Sequence, residues 1–171
     1  AALFDMDAYI GRDATESTLW RQAQESHVIH IAAHGVFNPE NPQATFLALS
    51  SDEDNDGNLQ VREIYSLSLG ESQPLVVLSA CDTAVGGISE SDDVQSLARA
   101  FLISGARSVV ASLWKVDDAA TQALMTRFYE NMFGGMTTAE ALSDAQAYIR
   151  QQPEWSAPRY WAAFVLVGLP T

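Results

Sequence analysis

The sequence contains a single cysteine, Cys81, and three histidines among its 171 residues. A cysteine thiolate can attack an acyl carbon, a histidine can give a proton to the leaving group, and backbone N–H groups can hold the oxyanion. Cys81 and His34 each follow an apolar, β-branched run, and Gly35 offers a backbone open to close approach. Taken singly, Cys81 is more simply a small buried residue and His34 a turn residue. Their joint context favours a catalytic Cys–His pair.

A second group of polar side chains, in segment 52–63, matches the twelve-position pattern of an EF-hand calcium loop, with Gly57 at the position of the sharp turn. The predicted calcium ligands are Asp52, Asp54, Asp56, the Asn58 carbonyl and Glu63, with Gln60 acting through water. An EF-hand loop follows a helix, whereas the preceding run TFLALS has the pattern of a strand. An acidic, solvated hairpin turn is therefore an equal alternative.

Strand-like and helix-like segments alternate along the chain and determine where these groups lie. Buried strands are predicted for the runs VIHIAA, PLVVLS, RSVVAS and YWAAFVLVG, and helices for segments 14–26, 92–106, 117–135 and 137–152. This alternation predicts an α/β fold whose mainly parallel central sheet is flanked by helices. Because parallel strands bring their carboxyl ends to one edge, we expect His34, Cys81 and segment 114–118 to gather there. The histidines His27 and His30 alternate with apolar residues, which favours structural positions.

Composition narrows the classes of partner. The formal net charge of −13 opposes binding to nucleic acids and anionic membranes. The apolar runs are shorter than the ~20 residues that a membrane-spanning helix needs. A lone cysteine forms no internal disulfide and fits the reducing cytoplasm. We expect a single domain over residues 1–171, and the start at Ala1 fits a piece of a longer, multidomain protein.

Four segments together resemble the CHAT family, a caspase-like domain related to separases and often found with tetratricopeptide repeats. The segments are VIHIAAHG, PLVVLSACDTAVG, SLARAFLISGARSVVASLWKVDD and RYWAAFVLVG. The resemblance implies a caspase–haemoglobinase-like fold, an α/β/α sandwich, and a cysteine endopeptidase that acts on a protein or peptide. It also implies that His34 is the general acid/base, that Cys81 is the nucleophile, and that Gly35 and Cys81 supply the oxyanion N–H groups.

The run SLWKVDD also resembles the separase segment in which an acidic residue recognises a basic P1 side chain. Asp118 is the better positional match and Asp117 the next, and a carboxylate there can bind arginine through two hydrogen bonds. Alternatively, both residues cap the following helix. Asp82 is a third candidate, although its charge opposes thiolate formation at Cys81.

These observations and the resemblance predict a cysteine endopeptidase that cleaves after Arg or Lys and needs no cofactor for its chemistry. If segment 52–63 binds calcium, we expect the activity to depend on calcium. Two alternatives belong to other functional classes. One is a catalytically silent, caspase-like interaction or signalling module, and the other is a calcium-binding regulatory domain. The expected partners are a protein or peptide substrate and tethered tetratricopeptide-repeat domains, with neither nucleic acid nor membrane.

Overall fold

A computed structural model describes residues 7–38, 40–79, 81–82 and 90–170, and gives only the backbone for residues 81–82 and 90–94. The α-helices are α1 Glu16–Ala23, α2 Val61–Ile64, α3 Glu90–Ile103, α4 Asp118–Phe133, α5 Thr138–Gln151 and α6 Pro158–Trp161. The strands are β1 Val28–Ile31, β2 His34–Val36, β3 Phe46–Ala48, β4 Asn58–Gln60, β5 Leu75–Leu78, β6 Cys81–Asp82, β7 Ser108–Ser112 and β8 Phe164–Gly168.

The central sheet has the strand order β1-β5-β7-β8. The strands β1, β5 and β7 run parallel, and β8 pairs antiparallel with β7. Every residue of β5 and β7 is buried, as their unbroken apolar runs predict for strands covered on both faces. The predicted mixed α/β fold with a mainly parallel sheet is confirmed.

Helices cover both faces of this sheet. On one face, Val76 and Leu78 of β5 belong to a core cluster with residues of α1, α2 and α3, including the fully buried Phe101. On the other face, Leu75 and Val77 belong to a second cluster with residues of α4 and α5. The alternation of β5 side chains between the two clusters shows the three-layer arrangement directly.

A second, smaller sheet has the order β4-β3-β2-β6. The sequence predicts the strand VIHIAA over residues 28–33, with His34 directly after it, but β1 ends at Ile31, and His34 and Gly35 lie in β2 of the second sheet. The predicted hairpin around the acidic loop is confirmed, because β3 and β4 pair antiparallel on either side of it. Both β1 and β5 thus end just before strands of the second sheet.

The helix ends follow local sequence signals. At α5, Thr137 accepts a hydrogen bond from the Glu140 N–H while the Glu140 carboxylate accepts one from the Thr137 N–H, a reciprocal capping box. After α3, Gly105 has φ +113°, and a Cβ atom there would lie 2.7 Å from the Gly70 nitrogen, so only glycine fits. Within the part of the chain that the structure describes, no helix has the length and apolarity to cross a membrane.

Candidate functional site

The backbone of the second sheet brings the predicted nucleophile and the predicted general acid/base together. The strands β2 and β6 pair in parallel, with His34 opposite Cys81 and Gly35 opposite Asp82. Neighbouring strands lie ~4.8 Å apart, so these Cα atoms are adjacent. The His34 side chain is exposed, whereas Gly35 is buried. The two residues predicted to act together, 47 positions apart in the sequence, are therefore direct neighbours across a strand pair.

The position of this strand pair follows from the central sheet. The strands β1 and β5 are parallel partners up to Ile31 and Leu78, and the Ser79 N–H donates to the Ile31 carbonyl at 3.0 Å. The chain then enters β2 after residues 32–33 and β6 after residues 79–80. The pair of β2 and β6 thus continues the order of β1 and β5. As the sequence predicts, His34 and Cys81 lie beyond the carboxyl ends of parallel strands.

The outer part of the second sheet is held by the β3–β4 hairpin. Gly35 lies opposite Leu47 of β3, which in turn lies opposite Leu59 of β4. Both leucines are fully buried. Each strand of this hairpin therefore contributes one central side chain to the core, and this anchors the side of β2 that faces away from β6.

The predicted P1 acids have different surroundings. The Asp117 Oδ1 accepts hydrogen bonds from the N–H groups of Ala119 and Ala120, each at 3.0 Å, so this carboxylate caps α4. Asp118 is the first residue of α4, and its side chain is exposed. Asp82 lies in β6 beside Cys81, but its side chain, like that of Cys81, lies outside the described atoms. Of the two acids in SLWKVDD, one serves the helix cap and the other faces solvent.

The segment before these acids contacts α6 through Trp114. Trp114 is half-buried between β7 and α4, and its Nε1 donates to the Arg159 carbonyl in α6 at 3.1 Å. It also packs against the core cluster of α4 and α5. Because β7 runs parallel to β5, the segment that leads from β7 to α4 leaves the central sheet at the same edge as the ends of β1 and β5.

In the acidic loop, the carboxylates bind backbone N–H groups. The Asp52 Oδ1 accepts from the Asp54 N–H at 3.0 Å and from the Asn55 N–H at 2.9 Å. Hydrogen bonds, with that from Ser17 the largest effect, hold the pKa of Asp52 well below its usual range. The Glu63 Oε2 accepts from the Gln60 N–H at 2.8 Å and forms the capping box of α2.

The loop has the second half of an EF-hand but not the first. The strand β4 occupies positions 7–9 of the motif, and α2 begins at position 10, whereas the strand β3 precedes the loop where an EF-hand has a helix. Among the described residues, which include the whole of segment 52–63, no three His, Cys, Asp or Glu side chains are grouped to hold a metal ion. In this arrangement the loop residues fit a hydrogen-bonded turn, and calcium binding requires their carboxylates to reorient.

A buried carboxylate beneath this loop was not predicted. Glu16, the first residue of α1, is 2% exposed, and its Oε1 accepts from the Gly57 N–H at 3.0 Å. Burial is the largest effect that raises the Glu16 pKa, followed by the negative charge of Glu63, while the hydrogen bond from Gly57 lowers it. Glu16 stands at an ordinary helix start in the sequence, where acids are common, so no local pattern marks its burial.

Comparison with known proteins adds the family. The CHAT domain family matches residues 2–169 of this chain. Tetratricopeptide repeat protein 28 of Mus musculus is 35% identical over 102 residues, which are 60% of this chain and 4% of that protein. Tetratricopeptide repeat protein 28 of Homo sapiens is 35% identical over 94 residues, which are 55% of this chain and 4% of that protein. Because the family match extends over nearly the whole chain, the chain belongs to the CHAT domain family.

Proposed function

We propose that this domain is a cysteine endopeptidase of the caspase and separase type, with the caspase-like fold that the CHAT family implies. The observation that carries the proposal is the parallel pairing of β2 and β6, which sets His34 opposite Cys81 at the carboxyl-end edge of the central sheet. A Cys–His pair at such an edge fits nucleophilic acyl transfer, since substrates can reach it from solvent.

In the proposed reaction, the Cys81 thiolate attacks the carbonyl carbon of the scissile peptide bond. The N–H groups of Gly35 and Cys81 stabilise the oxyanion, for which one donor contributes on the order of 10²-fold in rate. His34 protonates the departing amine as the C–N bond breaks, which leaves a thioester on Cys81. Water then attacks this thioester with His34 as general base, releasing the carboxylate product and the thiolate.

We propose that the enzyme prefers Arg or Lys at P1 and that Asp118 binds the basic side chain. Both residues are exposed at the start of α4, but the Asp117 carboxylate already accepts two hydrogen bonds at the helix cap. A free carboxylate can accept two parallel hydrogen bonds from a guanidinium group. Asp82 is a further candidate because it directly follows the nucleophile.

We propose further that calcium binding to segment 52–63 regulates the activity. Gly57 has φ +84°, as the sharp turn of the motif requires, and β4 and α2 follow at the expected positions. The neighbouring charges of Glu63, Asp56 and Asp52 all raise the pKa of the buried Glu16, so a cation here would relieve repulsion. Calcium would then stabilise the hairpin that flanks β2.

A second candidate function is a caspase-like interaction module. The curated relatives are named as tetratricopeptide repeat proteins, and this chain matches only 4% of their length. We propose that tetratricopeptide-repeat domains adjoin the domain in its complete protein, either to present substrates to the peptidase or, in the second candidate, to use a silent Cys–His pair only as a scaffold.

The test of the leading proposal is cleavage of fluorogenic peptides that carry Arg, Lys, Asp or Leu at P1. Wild-type protein should cleave after Arg or Lys, and Cys81→Ala and His34→Ala should lose at least about 10³-fold in kcat/KM while keeping the wild-type Tm. Calcium and a chelator form parallel arms, and equal rates and equal Tm in both arms would exclude calcium regulation. Cleavage that survives Cys81→Ala would refute the mechanism.

The P1 assignment has a matched control in the adjacent residue. Asp118→Asn and Asp117→Asn remove the same charge one position apart, and asparagine caps a helix about as well as aspartate. Asp118→Asn should therefore reduce cleavage after Arg and Lys relative to Leu, whereas Asp117→Asn should leave that ratio unchanged. Equal effects of both variants would assign the preference to general electrostatics. No cleavage of any peptide, together with no labelling of Cys81 by an electrophilic peptide, would favour the interaction module.

A further inference from the structure

A chain of hydrogen bonds connects three elements beneath the site. His30 lies on β1, and its Nε2 is 3.0 Å from the Ser79 hydroxyl at the end of β5. Its Nδ1 is 3.0 Å from the Tyr129 hydroxyl in α4, and the two rings are in tilted contact at 5.8 Å. Both ring nitrogens of His30 are therefore used, one toward the strand that leads to Cys81 and the other toward the helix that begins at Asp118.

The His30 imidazole and the Tyr129 hydroxyl are both neutral near pH 7. His30 is partly exposed to solvent, yet desolvation by the surrounding protein lowers its pKa to about 4. Burial also raises the pKa of Tyr129 well above its ordinary value of 10. A neutral imidazole has one N–H donor and one acceptor, and a hydroxyl can serve either. In each tautomer, both hydrogen bonds of His30 can form.

Ser79 connects these hydrogen bonds to the candidate site. Ser79 is the first residue after β5, and Cys81 is two residues further on. Besides the bond from its side chain to His30, its backbone N–H donates to the Ile31 carbonyl of β1. Two hydrogen bonds thus hold the polypeptide backbone at Ser79 against β1, at the point where it leaves the central sheet for β6. A shift of this segment moves Cys81 relative to His34.

We propose that the Tyr129–His30–Ser79 chain is a positioning device that sets the place of Cys81 opposite His34. The three residues touch neither substrate nor reacting atoms, and they act through the segment from Ser79 to Cys81. The inference rests on the proposed peptidase function and adds its positioning residues. A misplacement of about 1 Å can cost on the order of 10²-fold in rate, so loss of one hydroxyl from the chain should be visible in kcat.

The test removes single hydroxyl groups. Ser79→Ala and Tyr129→Phe should each lower kcat on the order of 10-fold and change KM less than about twofold, because the nucleophile is displaced but the substrate pocket is not. Ser79→Thr keeps a hydroxyl and should recover most of the rate. Ser104→Ala is the control, since it also removes one serine hydroxyl, which here donates to the Phe101 carbonyl in α3 at 2.9 Å rather than to His30 or Tyr129. This control should keep the wild-type kcat.

A double-variant cycle shows whether the chain acts as a unit. If Ser79 and Tyr129 act through His30, the variant that combines Ser79→Ala with Tyr129→Phe should lose about as much as either single variant, not the product of both losses. Losses that multiply, or single variants within about twofold of wild type, would overturn the proposal.

A second readout separates this inference from the peptidase proposal. Cys81 is the only cysteine in the chain, so its rate of alkylation by iodoacetamide as a function of pH can be measured without ambiguity. Ser79→Ala and Tyr129→Phe should change this pH profile, and Ser104→Ala should not. If wild-type protein cleaves no peptide, the peptidase proposal fails, yet altered alkylation still supports the positioning role. Identical alkylation profiles in all variants would refute the positioning role even in an active peptidase.

Discussion

The two sheets of this domain differ in length, burial and content. In the central sheet, β5 and β7 have four and five residues that are buried throughout, and helices cover both faces. In the second sheet, β2, β3 and β4 have three residues each, and only the middle residue of each strand is buried. The candidate catalytic residues His34 and Cys81 both belong to the second sheet. The part of the fold with the smallest core of its own therefore carries the candidate catalytic residues.

We infer from this difference that the central sheet provides most of the stability, while the second sheet carries the candidate site. Burial of apolar side chains is the main source of stability, so the central sheet and its helices provide most of it. The second sheet keeps its place because β2 and β6 follow directly from β1 and β5, and because Leu47 and Leu59 anchor the hairpin. In this arrangement the His34 side chain is exposed at the candidate site, where the proposed substrate could reach it.

The largest expected effect is on the central core. Phe101 in α3 is fully buried, and Phe101→Ala should lower the free energy of unfolding by about 3–5 kcal/mol through lost burial and a cavity. In the same helix, Ile103 is 64% exposed, and Ile103→Ala should change the free energy of unfolding by less than about 0.5 kcal/mol. Urea unfolding measures both values. A comparable loss in both variants would mean that exposure does not separate the two sites.

A smaller and more local effect is expected in the second sheet. Gly57 has φ +84°, and a Cβ atom there would lie 2.8 Å from the Leu49 oxygen and from the Ser51 nitrogen. Gly57→Ala should therefore cost about 1–3 kcal/mol. Because the strain lies in the β3–β4 hairpin, amide hydrogen exchange should increase there while β5 and β7 stay protected.

The control for this substitution is Gly135→Ala. Gly135 also has positive φ, +100°, but no atom lies within 4 Å of its added Cβ. This variant should cost only the backbone preference, about 1 kcal/mol, and should leave exchange in the hairpin unchanged. Increased exchange over β5 and β7 in Gly57→Ala would show that the two sheets unfold as one unit and would contradict the proposed division.

The central sheet was the more predictable of the two. The runs PLVVLS and RSVVAS each contain consecutive apolar residues, LVVL and VVA, which in an α/β chain indicates strands covered on both faces, and the helices have clear starts and ends. The antiparallel direction of β8 and the break between Ile31 and His34 were not predictable, because strand direction and sheet membership depend on tertiary pairing. The sequence correctly placed His34 just beyond the first strand, but it did not show that His34 belongs to a strand of a second sheet.

The candidate site residues could be proposed from residue type and sequence position, whereas the contacts around them could not. Cys81 and His34 were identifiable from the sequence, and the structure pairs their strands. For Asp117, the sequence left both substrate binding and helix capping open, and its hydrogen bonds to Ala119 and Ala120 show the cap. Neither the bond between His30 and Tyr129, which are 99 positions apart, nor the burial of Glu16 leaves a local signal in the sequence.

The smallest expected effect concerns the charge of Glu16 under the second sheet. Its pKa in the native state is raised by burial, whereas in the unfolded chain it ionises near 4.5. Above pH 4.5 the unfolded state therefore binds fewer protons than the native state, so this group lowers stability as the pH rises through its native pKa. Glu16→Gln keeps an oxygen that can accept from the Gly57 N–H and removes the charge.

Glu16→Gln should thus raise the free energy of unfolding at pH 7 by up to about 1 kcal/mol, and the gain should vanish near pH 4. Glu140→Gln provides the opposite sign, since hydrogen bonds from Thr137 lower the pKa of Glu140. It should destabilise at pH 7, and this loss should shrink as the pH falls below 4.5. Urea unfolding at several pH values measures both. If Glu16→Gln destabilises at pH 7, the hydrogen bond from the Gly57 N–H to the charged carboxylate outweighs its repulsion by the neighbouring acids. The β3–β4 hairpin would then depend on an ionised Glu16.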